Sequence, residues 1–181
     1  GRYTPTNHRR TTIQDPYAAP GDRAGFTDGW FVETMPDLNQ RQPQLARYLI
    51  QNTLWWIEYA GLAGIREDTF GYADADFLSA WAEAVMSEYP DFGMVGEEWS
   101  PNPAIVAHWQ RGKSNPGGHV PHMTSMMDFP NHIALRDALL RPDSWESGWV
   151  PLYEGLANDF LYPDPAALVV FAENHDTTRL L

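Results

Sequence analysis

Gly64-Ile65-Arg66-Glu67-Asp68-Thr69-Phe70 is the stretch on which the fold turns. It follows a long amphipathic segment and sets an arginine and an aspartate two residues apart. Residues two apart on a β-strand face the same side. Arg66 and Asp68 are therefore expected to point together, with Asp68 near the strand's C-terminal end. A cation beside a carboxylate favours the ionised form. Such a held carboxylate can act as a nucleophile or as an electrostatic stabiliser. Standing alone, the pair reads more simply as a structural ion pair, and what changes that reading lies downstream.

Two further apolar runs end in acid: Gly93-Met94-Val95-Gly96-Glu97-Glu98-Trp99, and Ala167-Leu168-Val169-Val170-Phe171-Ala172-Glu173-Asn174-His175-Asp176. Short continuous apolar runs read as strands buried on both faces. Helical patterns alternate with them. One runs from Pro43, a favoured first helical residue, to a stop at Gly61. Its Leu45, Leu49 and Trp56, with Tyr48, Trp55 and Tyr59, form a broad apolar stripe that predicts packing of both tryptophans against the barrel. A second pattern covers residues 76–89 and stops at Pro90. A third opens with Asn102-Pro103 as cap and first residue and ends near Gly112. Residues 125–129 read as a strand, 133–140 and 150–160 as helices, and 167–172 as the last strand. Residues 1–38 show little periodicity and read as loop. Strand and helix thus alternate four times, which predicts parallel βαβ units and points to an α/β barrel, the fold that keeps its chemistry at the C-terminal ends of its strands.

The motifs GIREDTF, VGEEW and FAENHD, with Met35-Pro36-Asp37-Leu38-Asn39 before them, resemble those of the α-amylase family of glycoside hydrolases, in that family's order. The MPDLN segment and residues 55–77 look most like its neopullulanase and cyclomaltodextrinase branch. The resemblance implies a retaining α-glycosidase with a (β/α)8 TIM barrel, acting on starch-like glucans, maltooligosaccharides, pullulan or cyclodextrins. It implies Asp68 as nucleophile, Arg66 as the residue that holds it, Glu97 as general acid/base, Asp176 as the third carboxylate and His175 as a sugar ligand. A complete barrel takes roughly 200–250 residues or more. The 181 residues here are therefore expected to carry about half of one, strands 4 to 7 with their helices, over residues 39–181. Residues 1–38 would belong to the excursion after strand 3. The family's strand-3 motif ending in Asn-His is absent from these residues. It would contribute to a calcium site, so calcium is expected only of the full-length protein and no cofactor of this chain.

Other residues are open to two readings. Trp99 and Tyr72 follow the catalytic strands and either stack on sugar or pack. Asp37 and Asn39 either line the site or form a turn. Glu98 rivals Glu97, but alternation turns it away if Glu97 faces inward. Glu67 is expected to point into the layer behind the strand, where an unpaired carboxylate is costly and calls for a partner, one of the arginines being the candidate. Asp128 ends the strand over 125–129 and is more readily structural. Arg179 could pair with a site carboxylate, and His119 and His122 sit in a Gly/Pro loop without an obvious third metal ligand.

The chain is 43% hydrophobic and 13% aromatic, a globular composition, with a formal net charge of −12. That charge disfavours nucleic acid as a partner and suits a neutral glucan or maltooligosaccharide. No apolar run reaches the length of a membrane-spanning helix. The absence of cysteine excludes disulfides and thiolate zinc sites and leaves the compartment open. A barrel of the same lineage that binds carbohydrate or serves as a scaffold without catalysis is the alternative, and the presence of all three acids weighs against it.

Overall fold

The computed structural model describes residues 4–7, 12–15 and 17–180. The elements in chain order are α1 (Pro20–Thr27), α2 (Pro43–Ala60), β1 (Gly64–Glu67), a 3-10 turn (Phe70–Tyr72), α3 (Ala75–Glu88), β2 (Gly93–Gly96), α4 (Pro103–His108), β3 (Ser125–Met126), α5 (Phe129–Leu140) and α6 (Trp149–Leu156), followed by two further 3-10 turns. The sheet is parallel in the order β1-β2-β3. Gly64 pairs with Gly93, Arg66 with Val95 and Glu67 with Gly96, and Val95 pairs with Ser125. A three-stranded parallel sheet with helical crossovers is α/β architecture, consistent with part of a barrel.

Local chemistry sets the helix bounds. The Gln42 side chain caps α2 by accepting from the backbone N–H of Gln44 and Leu45, Pro43 opens the helix, and Gly61 closes it in the left-handed region at φ 60°. Asp74 caps α3 by accepting from Phe77 N–H. Leu78, Trp81, Ala82 and Val85 of that helix are buried against Met94, Met126 and Ile57. Each fully buried large apolar side chain contributes about 1.5–3 kcal/mol.

Five expectations need correction. Residues 20–27, read as loop, form α1, which Pro20 opens and which buries Phe26 and Thr27. The packed face of α2 is Ile50, Leu54 and Ile57. Trp55 and Trp56 are about half exposed and form an aromatic cluster with Tyr59, in which Trp55 stacks on Tyr59 and meets Trp56 edge-on. A helix with two apolar stripes does not announce which one meets the sheet. The strand over 125–129 stops at Met126, because the Asp128 carboxylate caps Asn131 N–H and starts α5 four residues earlier than its apolar pattern. The helix after Pro103 ends at His108, where Gln110 turns away to bond the backbone of Asp164 in both directions, at 2.7 and 3.1 Å. The run over 167–172 gives a single parallel bridge, Met127 to Val169, with Val169 and Val170 exposed.

Candidate active site

Continuing the β1–β2 register by one residue sets Asp68 beside Glu97 at the C-terminal rim. Pairing partners share a face, so Arg66, Asp68 and Glu97 lie on one side while Glu67 and Glu98 lie on the other. The Arg66 guanidinium joins the set. Its Nη1 lies 2.9 Å from Asp68 Oδ1, and its Nη2 lies 2.8 Å from Glu97 Oε1 and 3.7 Å from Asp176 Oδ2. His175 Nε2 is 3.2 Å from the same Asp176 oxygen. One planar fork thus meets three carboxylates, a geometry that a lysine's point charge would not reproduce.

The three acids differ in surroundings. The side chain of Asp68 is 57% exposed and that of Asp176 43%, whereas that of Glu97 is 2% exposed. Glu97 Oε1 also accepts from Trp99 Nε1 at 2.7 Å, and Oε2 accepts from the backbone N–H of Thr69 at 2.9 Å. Thr69 sits in the left-handed region at φ 45°, a strained place for a β-branched residue. Phe70 N–H donates to the Glu97 carbonyl at 3.0 Å. The turn that presents Asp68 is therefore gripped by Glu97 through both side chain and backbone.

Behind the rim, Glu98 faces away from Glu97. It is 3% exposed and accepts from Trp109 Nε1 at 3.0 Å. Burial pushes its carboxyl up to about 7, with the neighbouring Glu97 charge adding to this against the Trp109 hydrogen bond. Glu67 is likewise pushed up to about 7, by burial first and the Asp68 charge second, with Arg66 opposing. The partner expected for it is not found: among the described residues no arginine pairs with Glu67. It lines a cavity of about 220 Å³ shared with Asp37, Asp68 and Tyr72. Without a paired cation, partial burial favours its protonated form more than in water.

The remaining candidates sort as follows. Asp37 reaches the cavity beside Asp68, and burial raises its carboxyl, while the Asn39 carbonyl accepts from Gln42 N–H in the turn before α2. Tyr72 stacks on Phe26 at 5.1 Å, which occupies one ring face. Trp99 leans on Phe129 with ring centroids 4.3 Å apart and stays half exposed. Arg179 pairs with Glu173 and not with a site carboxylate. His119 stacks on His108, and burial lowers both imidazoles, His108 to about 4. Among the described residues no group of three or more His, Asp or Glu side chains is placed to hold a metal ion. Sequence reasoning missed the grip of Glu97 on Thr69 and the seat of Glu98 against Trp109, because neither has a local spacing signal. A cavity of about 730 Å³ lies between α5 and α6 and touches none of the three rim acids. Chemistry, not volume, locates the site.

A model of the alpha-amylase catalytic domain matches residues 4–181. The chain belongs to that family. It is 29% identical over 155 residues to a cyclomaltodextrinase of Geobacillus thermopakistaniensis, an alignment covering 83% of this chain and 24% of the relative. It is 35% identical over 82 residues to the intracellular maltogenic amylase of Bacillus subtilis, covering 45% of this chain and 13% of that protein. The crystal structure of the alpha-amylase from Geobacillus thermoleovorans, complexed with acarbose, superposes with a TM-score of 0.73 at 28% identity, covering 98% of this chain and 36% of the other. The chain thus spans about a quarter of that first curated relative and about a third of that solved structure. Such α-amylase neighbours imply a (β/α)8 barrel, of which the three-stranded sheet is a part.

Proposed function

We propose that the protein to which these residues belong is a retaining α-glycosidase of the cyclomaltodextrinase and neopullulanase branch, in which β1, β2, β3 and the Val169 segment stand as strands 4 to 7 of the barrel. Its substrates are starch-like glucans, maltooligosaccharides, pullulan or cyclodextrins, cleaved at α-1,4 bonds, with α-1,6 bonds as the second candidate. The observation that carries this reading is the single Arg66 guanidinium within reach of Asp68, Glu97 and Asp176.

Retention calls for two carboxyl groups on opposite duties. Asp68 is the more open of the strand-end pair and is held by Arg66, which suits attack on the anomeric carbon. As the C–O bond breaks, the proton of Glu97 passes to the departing oxygen. Glu97 then takes a proton from the water, or from the sugar hydroxyl, whose oxygen displaces Asp68 from the glycosyl ester. Asp176 stabilises the oxocarbenium-like transition state, with His175 beside it to meet a sugar hydroxyl. Among the described residues Glu97 meets three donors, Arg66, the Thr69 N–H and Trp99, and no acceptor. To act as an acid it must exchange one of them for the glycosidic oxygen, and half-exposed Trp99 is the most open of the three donors. Similarity to the cyclomaltodextrinase and the maltogenic amylase supports the substrate class.

The test is Asp68→Asn in the full-length protein, assayed on starch, pullulan and cyclodextrin. Loss of about 10³-fold or more in kcat with sugar binding retained is expected. Unchanged turnover would remove the nucleophile assignment. A wild type that binds glucan without turnover would favour the non-catalytic alternative.

A further inference from the structure

Two adjacent glutamates on one strand end hold one turn from opposite sides. In front, Glu97 takes the Thr69 N–H. Behind, the Glu98 carboxylate lies so close under Gly71 that a Cβ at that glycine would sit 2.6 Å from its Oε2, beside Thr12 and Trp109. Only a residue without a side chain fits there. Glu98 also fixes the Trp109 indole, which is fully buried and meets Phe70 edge-on at 5.5 Å. Glu98 thus reaches both residues that follow Thr69: Gly71 by direct contact and Phe70 through Trp109. The left-handed Thr69 between Asp68 and Phe70 is strained, and strain of this kind persists only when its surroundings over-determine it.

We propose that Glu98 is a positioning residue for Asp68: from the face opposite the reaction, it locks the 68–72 turn through Gly71 and the Trp109–Phe70 contact. It does not touch substrate. Only the kinetic arm of the test rests on reading Asp68 as the nucleophile.

The experiment compares Glu98→Ala, Glu98→Gln and Gly71→Ala in the full-length protein. Backbone amide exchange is followed by mass spectrometry over the peptide containing residues 68–72, with the α3 peptide as reference. Glu98→Ala is expected to speed exchange in that turn by about tenfold or more and leave α3 unchanged. Glu98→Gln, which retains an acceptor for Trp109, should stay near wild type. Gly71→Ala should loosen the same turn with Glu98 intact, so the proposal remains testable if Glu98→Ala fails to fold. In the kinetic arm, Glu98→Ala should lower kcat by about 10²-fold with KM within a few-fold, the signature of a misplaced reacting group. Unchanged exchange at 68–72 in Glu98→Ala or Gly71→Ala, or an equal rise in α3, would overturn the proposal. Absence of turnover in the wild type would retire the functional reading alone, because amide exchange needs no substrate.

Discussion

Glu67→Gln should stabilise the protein at neutral pH and leave it nearly unchanged in acid. Glu67 stands behind the reacting face, and its carboxyl is raised from its ordinary 4.5 to about 7 by burial and by the Asp68 charge. Below pH 4.5 both folded and unfolded chains hold the proton, and no penalty arises. Between pH 4.5 and about 7 the unfolded chain releases it while the folded chain keeps it, so stability falls as pH rises. Above about 7 the penalty is constant. At 1.36 kcal/mol for each pH unit, the full interval is about 3 kcal/mol. Glutamine keeps the shape without the charge, so the variant should gain up to about 3 kcal/mol over wild type at pH 8 and close to nothing at pH 4.5. Urea denaturation of the full-length protein, followed by tryptophan fluorescence at both pH values, measures the gap. A gap that is pH-independent, or larger in acid, would refute the assignment of a half-buried carboxyl with no arginine partner.

Three further outcomes follow from the same geometry. Arg66→Lys removes the fork that reaches Asp68, Glu97 and Asp176 together. Steady-state kinetics should show kcat down by roughly 10²–10³-fold, more than KM changes. Trp99→Phe keeps a ring over Phe129 and deletes the N–H donated to Glu97. A roughly tenfold change in kcat at near-constant KM is expected, whereas a change confined to KM would make the ring a sugar platform and the hydrogen bond idle. Trp81→Ala leaves a void in the core packed against α3 and removes the indole N–H that donates to the Thr53 hydroxyl of α2 at 2.9 Å. Denaturation should show a loss of about 3–5 kcal/mol.

The sequence revealed what depends on neighbours along the chain. Pro43 and Gly61 marked both ends of α2, because a fixed φ and a left-handed φ are properties of single residues. The two-residue spacing of Arg66 and Asp68 put them on one face, and the ordered strand-end acids placed the candidate site. What stayed hidden depends on distance. That Arg66 reaches past Asp68 to Glu97 and Asp176 follows from side-chain length across strands. That Ile50, Leu54 and Ile57, not Trp55 and Trp56, meet the core depends on how α2 is rotated against α3. The thin pairing of the 167–172 run has a similar cause: apolar residues announce a buried strand, but its ladder depends on partners elsewhere, and Met127 alone pairs with it here. The strained Thr69 and the close seat of Gly71 on Glu98 are invisible in composition and periodicity alike.

The division of labour among the rim acids can be read directly by trapping the glycosyl ester. The full-length protein would be treated with a fluorinated α-glucosyl fluoride, which forms the ester but hydrolyses slowly, then digested and sequenced by mass spectrometry. A glycosyl adduct on Asp68, in the peptide that also contains Arg66, is the predicted result. An adduct on Glu97 or Asp176, or turnover of glucan with no covalent adduct at all, would contradict it.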